Sequence, residues 1–457
     1  MKINIFLLIA LFALGCREPK PKSEKDFLIA DVTLVDPSDG SLHDHSFVEI
    51  DAGLIIGITT SKPEDSSYKT VIDGRGMFLM PGLAEMHAHI PSPPASRESV
   101  EETLLLYLAN GITTIRGMLG HPSHLELREQ VESGEVLGPR IFTSSPSLNG
   151  NSVQTPEEAR EKVTQYQKDG YDFLKIHPGI KREVFDVLVA TARETGIPFA
   201  GHVPVDVGIR HALMSGYASI DHVDGFLEGL VPEDMNADPT ANGFFGYNFT
   251  TLADPALIPS LVNLSREHKV WIVPTQSLFE RWFAPVSAEA LLAEPEMKYM
   301  PVTTLTNWKI RKEQSTAPAT GFTKEGWEKF HSIRQQLIKA LSDGGYGILL
   351  GSDAPQLFNV PGFSIHHEIR GMEAAGMSKQ EILKSGTLNP ALFFDEEDKF
   401  GRIADGLEAD LILLRENPLQ DLEALKKIEG VMVRGKWLDR KTLDKKLNVI
   451  ATRAKER

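Results

Sequence analysis

The sequence predicts an α/β protein: a closed (β/α)8 TIM-like barrel joined to a small β-sandwich built from both chain ends. Three observations predict it. From about residue 80 to 395, strand-like runs alternate with helix-like ones, the pattern of a parallel sheet with helical crossovers. Eight such strand-like runs can be placed, the number a closed barrel needs. At the two ends, 26–79 and 396–457, short apolar segments are instead punctuated by turn residues.

The N-terminal β-rich part contains segments 27–35, 46–51 and 54–59, separated by Pro37-Ser38-Asp39-Gly40 and Ala52-Gly53. Segments 409–414 and 431–437 repeat the pattern near the other end. Neither end has enough strands to bury a core, so the two are expected to combine. The barrel strands are placed to end near His89, Arg116, Ser144, His177, His202, His222, Pro274 and Asp353. In 181–195, Val184, Phe185, Leu188, Val189 and Ala192 share one helical face ahead of Gly196. A second helix, 207–215, stops at Gly216. Segment 276–341, with Trp282, Trp308 and Trp327, is longer than a barrel loop needs to be. It is expected to carry helices of its own and to cover the mouth as a lid.

Residues 1–16 read as a leader. Lys2 is basic and 5–14 form an apolar run, too short for a bilayer, which needs about 20 residues. Ala13-Leu14-Gly15-Cys16 resembles a bacterial lipobox, with Cys16 as the lipidated residue. Residues 17–25 are charged and proline-bearing, a flexible tether. The expectation is a lipid-anchored protein of the bacterial cell envelope, facing the periplasm, with the membrane touched only through the anchor. Arg17 after the cysteine favours the outer membrane where one exists. Cys16 is the only cysteine, which excludes a disulfide framework, thiolate metal ligands and a cysteine nucleophile. A formal charge of −15 argues against a nucleic-acid partner. A homo-oligomer stays open.

The chemistry gathers at the strand ends. His87 and His89 flank Ala88, so on a strand both imidazoles project from one face and can bind one divalent ion. Phe173, Lys175 and His177 likewise share a face. A lysine aimed into a barrel is costly unless neutral, paired or modified. His202, His222 and Asp353 end three further strands. Singly, each has an ordinary explanation, such as a core histidine satisfied by a carbonyl. Together, at successive strand ends, they point to metal.

The motifs Pro81-Gly82-Leu83 before His87-Ala88-His89, 110–116, 171–177, Ala200-Gly201-His202-Val203, Ser219-Ile220-Asp221-His222, Gly351-Ser352-Asp353-Ala354, 387–391 and 400–411 carry a resemblance over nearly all of the chain after the tether. It resembles the amidohydrolase superfamily, in the branch similar to imidazolonepropionases and prolidase-like carboxypeptidases. The resemblance implies a binuclear centre: one ion on His87, His89 and Asp353, the other on His202 and His222. Lys175, carboxylated by carbon dioxide, would bridge them. Zinc suits such ligands best. Two ions sharing a hydroxide would lower its pKa to about 7 or below, and Asp353 would act as general base, then acid. The implied reaction is hydrolysis of an amide C–N bond in a small molecule, a dipeptide or N-acyl amino acid. The alternatives are a lactone, ester or cyclic amidine hydrolase on the same site, and a non-catalytic lipid-anchored binding protein.

Two features depart from the superfamily's usual pattern. Glu85 stands where an aspartate is usual, and His177 is not needed as a ligand. His177 is expected to touch substrate, with packing or capping as the alternative. Arg116 would pair a substrate carboxylate; its alternative is a salt bridge within the fold.

Overall fold

The computed structural model describes residues 24–457. The leader, Cys16 and the tether as far as residue 23 lie outside the described residues.

The chain opens with β1 (Lys25–Asp36), β2 (Ser41–Asp51), β3 (Leu54–Thr59), β4 (Tyr68–Asp73) and β5 (Phe78–Pro81). After the barrel strands β6 to β12 come β13 (Leu411–Leu414), β14 (Ile428–Val433) and β15 (Lys436–Asp439). One sheet orders these outer strands β15-β14-β13-β5-β1-β2-β3, with β4 beside β1. The two chain ends meet in the antiparallel ladder of β13 on β5, from Leu411 opposite Pro81 to Leu414 opposite Phe78. Register shifts in β1 on either side of Val32 bend the sheet. It folds over far enough for Ile55 of β3 to hydrogen-bond Leu407 and Gly406, just before β13. Ile29, Val48, Ile50, Leu79, Leu411, Leu413 and Met432 fill the space enclosed. This is the small sandwich.

The barrel strands are β6 (Leu83–Ala88), β7 (Ile112–Gly117), β8 (Arg140–Thr143), β9 (Leu174–Ile176), β10 (Phe199–Gly201), β11 (Ser219–Asp221) and β12 (Trp271–Val273). They form two parallel runs, β6-β7-β8 and β9-β10-β11-β12. Parallel bridges Ser144–Phe173 and Leu148–Ile176 join one run to the other. The eighth stave is segment 348–354, which bridges β12 at Ile272–Ile348 and β6 at Ala88–Ala354. Leu349 N–H donates to Ile272 O, Met86 N–H to Leu350 O and Asp353 N–H to His87 O, closing the ring. The strands are short and apolar because helices cover them on the outside.

Helix Arg182–Thr195 buries Val184, Phe185, Leu188, Val189 and Ala192 and ends on left-handed Gly196. Segment 276–341 contains helices Gln276–Phe283, Ala288–Leu292 and Val302–Ser315 and most of Lys324–Gly344. Trp282 packs on Phe244, whereas Trp308 packs on Phe358 and Trp327 on Phe330. Segment 223–257, made of short 3-10 turns, brings Phe244 and Phe245 over the mouth. Among the described residues, no helix is long and apolar enough to cross a membrane.

Candidate metal centre

His87 and His89 project from the end of β6 toward Asp353 on the neighbouring stave. Asp353 Oδ1 lies 2.7 Å from His89 Nε2 and 3.5 Å from His87 Nε2. One ligating atom from each of the three residues falls within 4.8 Å of the others. The backbone works to present them. Asp353 and His222 are left-handed, with φ of 62° and 66°, a conformation costing a non-glycine residue about 1 kcal/mol or more. Hydrogen bonds hold both turns: Asp353 N–H to His87 O at 2.9 Å and His222 N–H to Val273 O at 2.7 Å.

Across the barrel, the rings of His202 and His222 are centred 4.6 Å apart, and His222 is again 4.6 Å from His87. Lys175 is 1% exposed on the strand beside the one that leads into His202. Its Nζ has no hydrogen-bond partner, and Asp221 Oδ2 lies 3.5 Å away. Two glycines make room. A Cβ on Gly201 would come 2.4 Å from Ile176 O and 3.1 Å from Lys175 Cδ. One on Gly351 would meet His87 N at 2.8 Å.

The electrostatics favour neutral, metal-binding imidazoles. Burial first, then the Lys175 amine, pushes His202 down to about 3 and His87 well below its ordinary value. Burial and the neighbouring His202 do the same to His222. Burial also lowers Lys175, favouring its neutral amine. His87 Nδ1, Lys175 Nζ and Asp221 Oδ2 are buried polar atoms without a hydrogen-bond partner, an expensive state in an apolar surround. Histidine nitrogens, one carboxylate and an unpaired amine converging on one cleft fit a divalent metal centre.

Arg116 requires a correction. It does not face the cleft: it is fully buried, donating to Met86 O at 2.7 Å, Ser219 Oγ at 2.8 Å and Asp221 Oδ1 at 2.9 Å. Phe173 and Phe393 pack on its guanidinium. Fully buried, with three of its N–H groups engaged inside the barrel, it does not reach a substrate carboxylate in the cleft. Its partner Asp221 has a role that motif reading did not assign. Held by Arg116 through Oδ1, it turns Oδ2 to 3.3 Å from His87 Nδ1. The signal was available, since Ser219 and Asp221 alternate on the inward face. His177 is half-buried and its ring stacks on His202, centres 5.0 Å apart. Asp224 orients His202, its Oδ2 lying 3.1 Å from His202 Nδ1. Phe245 closes the site from above, 5.7 Å from the His202 ring and 5.4 Å from that of His222.

A parallel barrel with imidazoles and a carboxylate gathered at its strand ends has the build of a metal-dependent hydrolase. Residues 78–438 match the model of the amidohydrolase family, and the chain belongs to that family. It is accordingly an enzyme, a hydrolase acting on carbon–nitrogen bonds. It is similar to ochratoxinase of Aspergillus niger, 21% identical over 468 residues covering 87% of this chain and 83% of the relative. Among solved structures it is similar to bottromycin amidohydrolase, with a TM-score of 0.73 and 22% identity over 95% of this chain and 91% of that one. A Xaa-Pro dipeptidase with bound methionine superposes at a TM-score of 0.64, 21% identical over 90% of this chain and 99% of that one. At these identities the structural likeness concerns the fold.

Proposed function

We propose that the protein hydrolyses an amide bond in a dipeptide or N-acyl amino acid, at a pair of divalent ions, zinc by preference. The observation that carries this reading is Lys175: a buried amine with no hydrogen-bond partner, 3.5 Å from Asp221 Oδ2, in a barrel whose strand ends gather His87, His89 and Asp353 and bring His202 beside His222. His87, His89 and Asp353 would hold one ion, His202 and His222 the other, with carboxylated Lys175 between them. When bound, the ions supply an activated water and polarise the carbonyl under attack.

The chain's own groups do the rest. Asp353, 5% exposed and at the edge of the cleft, takes up the proton released as water attacks. It returns that proton to the departing nitrogen as the C–N bond breaks. Phe245 and the segment that carries it keep bulk water from the reacting carbonyl. His177, stacked on His202, is the group placed to touch substrate. We also propose that Cys16 is lipidated and tethers the enzyme to the cell envelope on its periplasmic side.

Metal analysis of Lys175→Ala tests the bridging role. The expected result is loss of at least one of two ions together with turnover; two tightly held ions and full activity would reject it. A panel of dipeptides, N-acyl amino acids, lactones and aryl esters tests the bond. Lactones or esters cleaved in preference to every amide would move the assignment to C–O chemistry on the same site. Cys16→Ser should release the protein from membranes.

A further inference from the structure

One cavity of about 1190 Å³ opens beside the metal centre and meets it at His202. Pockets for small ligands commonly run from about 300 to 1,000 Å³, so this one exceeds what a short dipeptide fills. Its walls are largely apolar, with Val203, Val207, Ile209, Phe244, Phe245 and Leu257 among the lining residues.

The charges in the lining are unevenly placed. Asp224 is 7% exposed, its Oδ2 accepting Val203 N–H at 3.0 Å and lying 3.1 Å from His202 Nδ1. Glu228 accepts Asn242 Nδ2–H at 2.8 Å through Oε1, while its Oε2 is buried without a partner. Arg334 reaches both carboxyls electrostatically from outside the lining, but the lining's own arginines engage other groups. Arg182 is turned to Asp186, 3.0 Å away, and Arg210 donates to Ser260 at 3.2 Å. An anionic group entering here would lose its water and gain two carboxyl neighbours. A large apolar group without negative charge would lose only its unfavourable hydration.

We propose that this cavity receives a bulky hydrophobic group, carrying no negative charge, on one side of the scissile amide. The enzyme would then select amides by that group and direct any substrate carboxylate away from the His202 side. This rests on the reading of the site as an amide hydrolase, but the cavity can be tested without turnover.

Two dyes with the same aromatic body provide the test: neutral N-phenyl-1-naphthylamine and its anionic relative 1-anilinonaphthalene-8-sulfonate. Fluorescence titration of the intact protein should show the neutral dye bound at least about ten-fold more tightly, a difference of about 1.4 kcal/mol. Val205→Trp and Met214→Trp, which fill the cavity from two different positions in its lining, should each weaken the neutral dye by a similar factor. Glu228→Gln should tighten the anionic dye and leave the neutral one unchanged. Equal binding of the two dyes, or neutral-dye binding indifferent to both filling substitutions, overturns the proposal. In turnover, N-naphthoyl amino acids should exceed their N-acetyl counterparts about ten-fold in kcat/KM, and Val205→Trp should erase the difference. Amide hydrolysis with no such size preference overturns the substrate class. If no amide is cleaved while the dyes behave as expected, the amide reading fails and the cavity assignment stands.

Discussion

Glu85 grips Ser352 twice: its carboxyl accepts the Ser352 backbone N–H at 2.7 Å and shares a hydrogen with the Ser352 hydroxyl at 2.6 Å. The same carboxyl lies 3.2 Å from the His87 backbone nitrogen. It bolts the first barrel strand to the last stave and thereby sets His87 and His89 against Asp353. The extra methylene relative to aspartate is what lets one side chain span that seam. Burial pushes this carboxyl up to about 8, so at neutral pH it is largely protonated and its amide counterpart is the close mimic. Glu85→Gln is expected to keep the fold and bind metal nearly as the parent does. Glu85→Ala strands three buried hydrogen-bonding groups at about 1–3 kcal/mol each, and should lower the thermal midpoint and release metal. Parallel melts and zinc titrations of the two variants check this. Equal damage from both would show that the carboxylate charge itself is required.

Asp221 supports His87 from beneath, as carboxylates commonly fix the tautomer and orientation of metal-binding histidines. Losing such a partner typically weakens metal binding 10- to 100-fold. Asp221→Asn should do so while retaining a neutral acceptor for Arg116. Asp221→Ala also leaves the buried guanidinium of Arg116 unpaired, a loss of about 3–5 kcal/mol, and should accumulate poorly. Zinc competition with a chelator reads the first effect, solubility and melting the second. Unchanged zinc affinity in Asp221→Asn would remove Asp221 from the metal centre.

The histidine, lysine and glycine motifs could be read from the chain because each is local: two or three residues at a strand end announce themselves without reference to the rest. Arg116 could not be. Its partners Ser219 and Asp221 lie 103 and 105 positions away, and only closure of the barrel turns its side chain inward to meet them. Segment 223–257 escaped for a related reason. Phe244 and Phe245 find Trp282, Phe283 and Phe279 across the mouth, and no periodicity within the segment foretells that packing. The union of the chain ends was legible because each end had too few strands to bury a core.

Buried neutral histidines should make the metal-depleted enzyme sensitive to acid. Burial holds His124 down to about 4 and His202 and His366 to about 3, with His87 and His222 also well below the usual 6.5. Between those depressed values and 6.5 the unfolded chain binds protons that the folded one refuses. The histidine contribution to stability therefore rises with pH across that window and is lost as pH falls below about 6.5. Each such group contributes up to about 1.4 kcal/mol per pH unit. Buried Glu85, pushed up to about 8, and Asp224, Glu228 and Glu368, pushed up to about 7, work in the opposite sense as pH falls. The histidine share is therefore read by comparison: the chelated parent should lose more stability, read as its melting midpoint, between pH 7 and pH 5 than chelated His366→Asn. Parallel losses in the two proteins would mean that His366 is charged in the fold.

Arg334 supplies the last prediction, because it holds His222 from behind. It is 2% exposed on helix Lys324–Gly344. Its guanidinium donates to His222 O at 2.7 Å, Pro274 O at 3.1 Å and Gln276 Oε1 at 3.0 Å. Phe279 packs its ring 3.5 Å from the same group. Burial lowers Arg334 to about 9, which still leaves it a cation at neutral pH, as donation to two carbonyls requires. Those carbonyls lie at the ends of β11 and β12, where left-handed His222 turns. Arg334→Met should free that turn, weakening zinc at the proposed His202–His222 position 10- to 100-fold and lowering kcat more than KM is raised. Arg334→Lys, a point donor in place of a fork, should fall between. Equilibrium dialysis against zinc separates this from simple destabilisation: a lower melting point with unaltered zinc affinity would confine Arg334 to holding the fold.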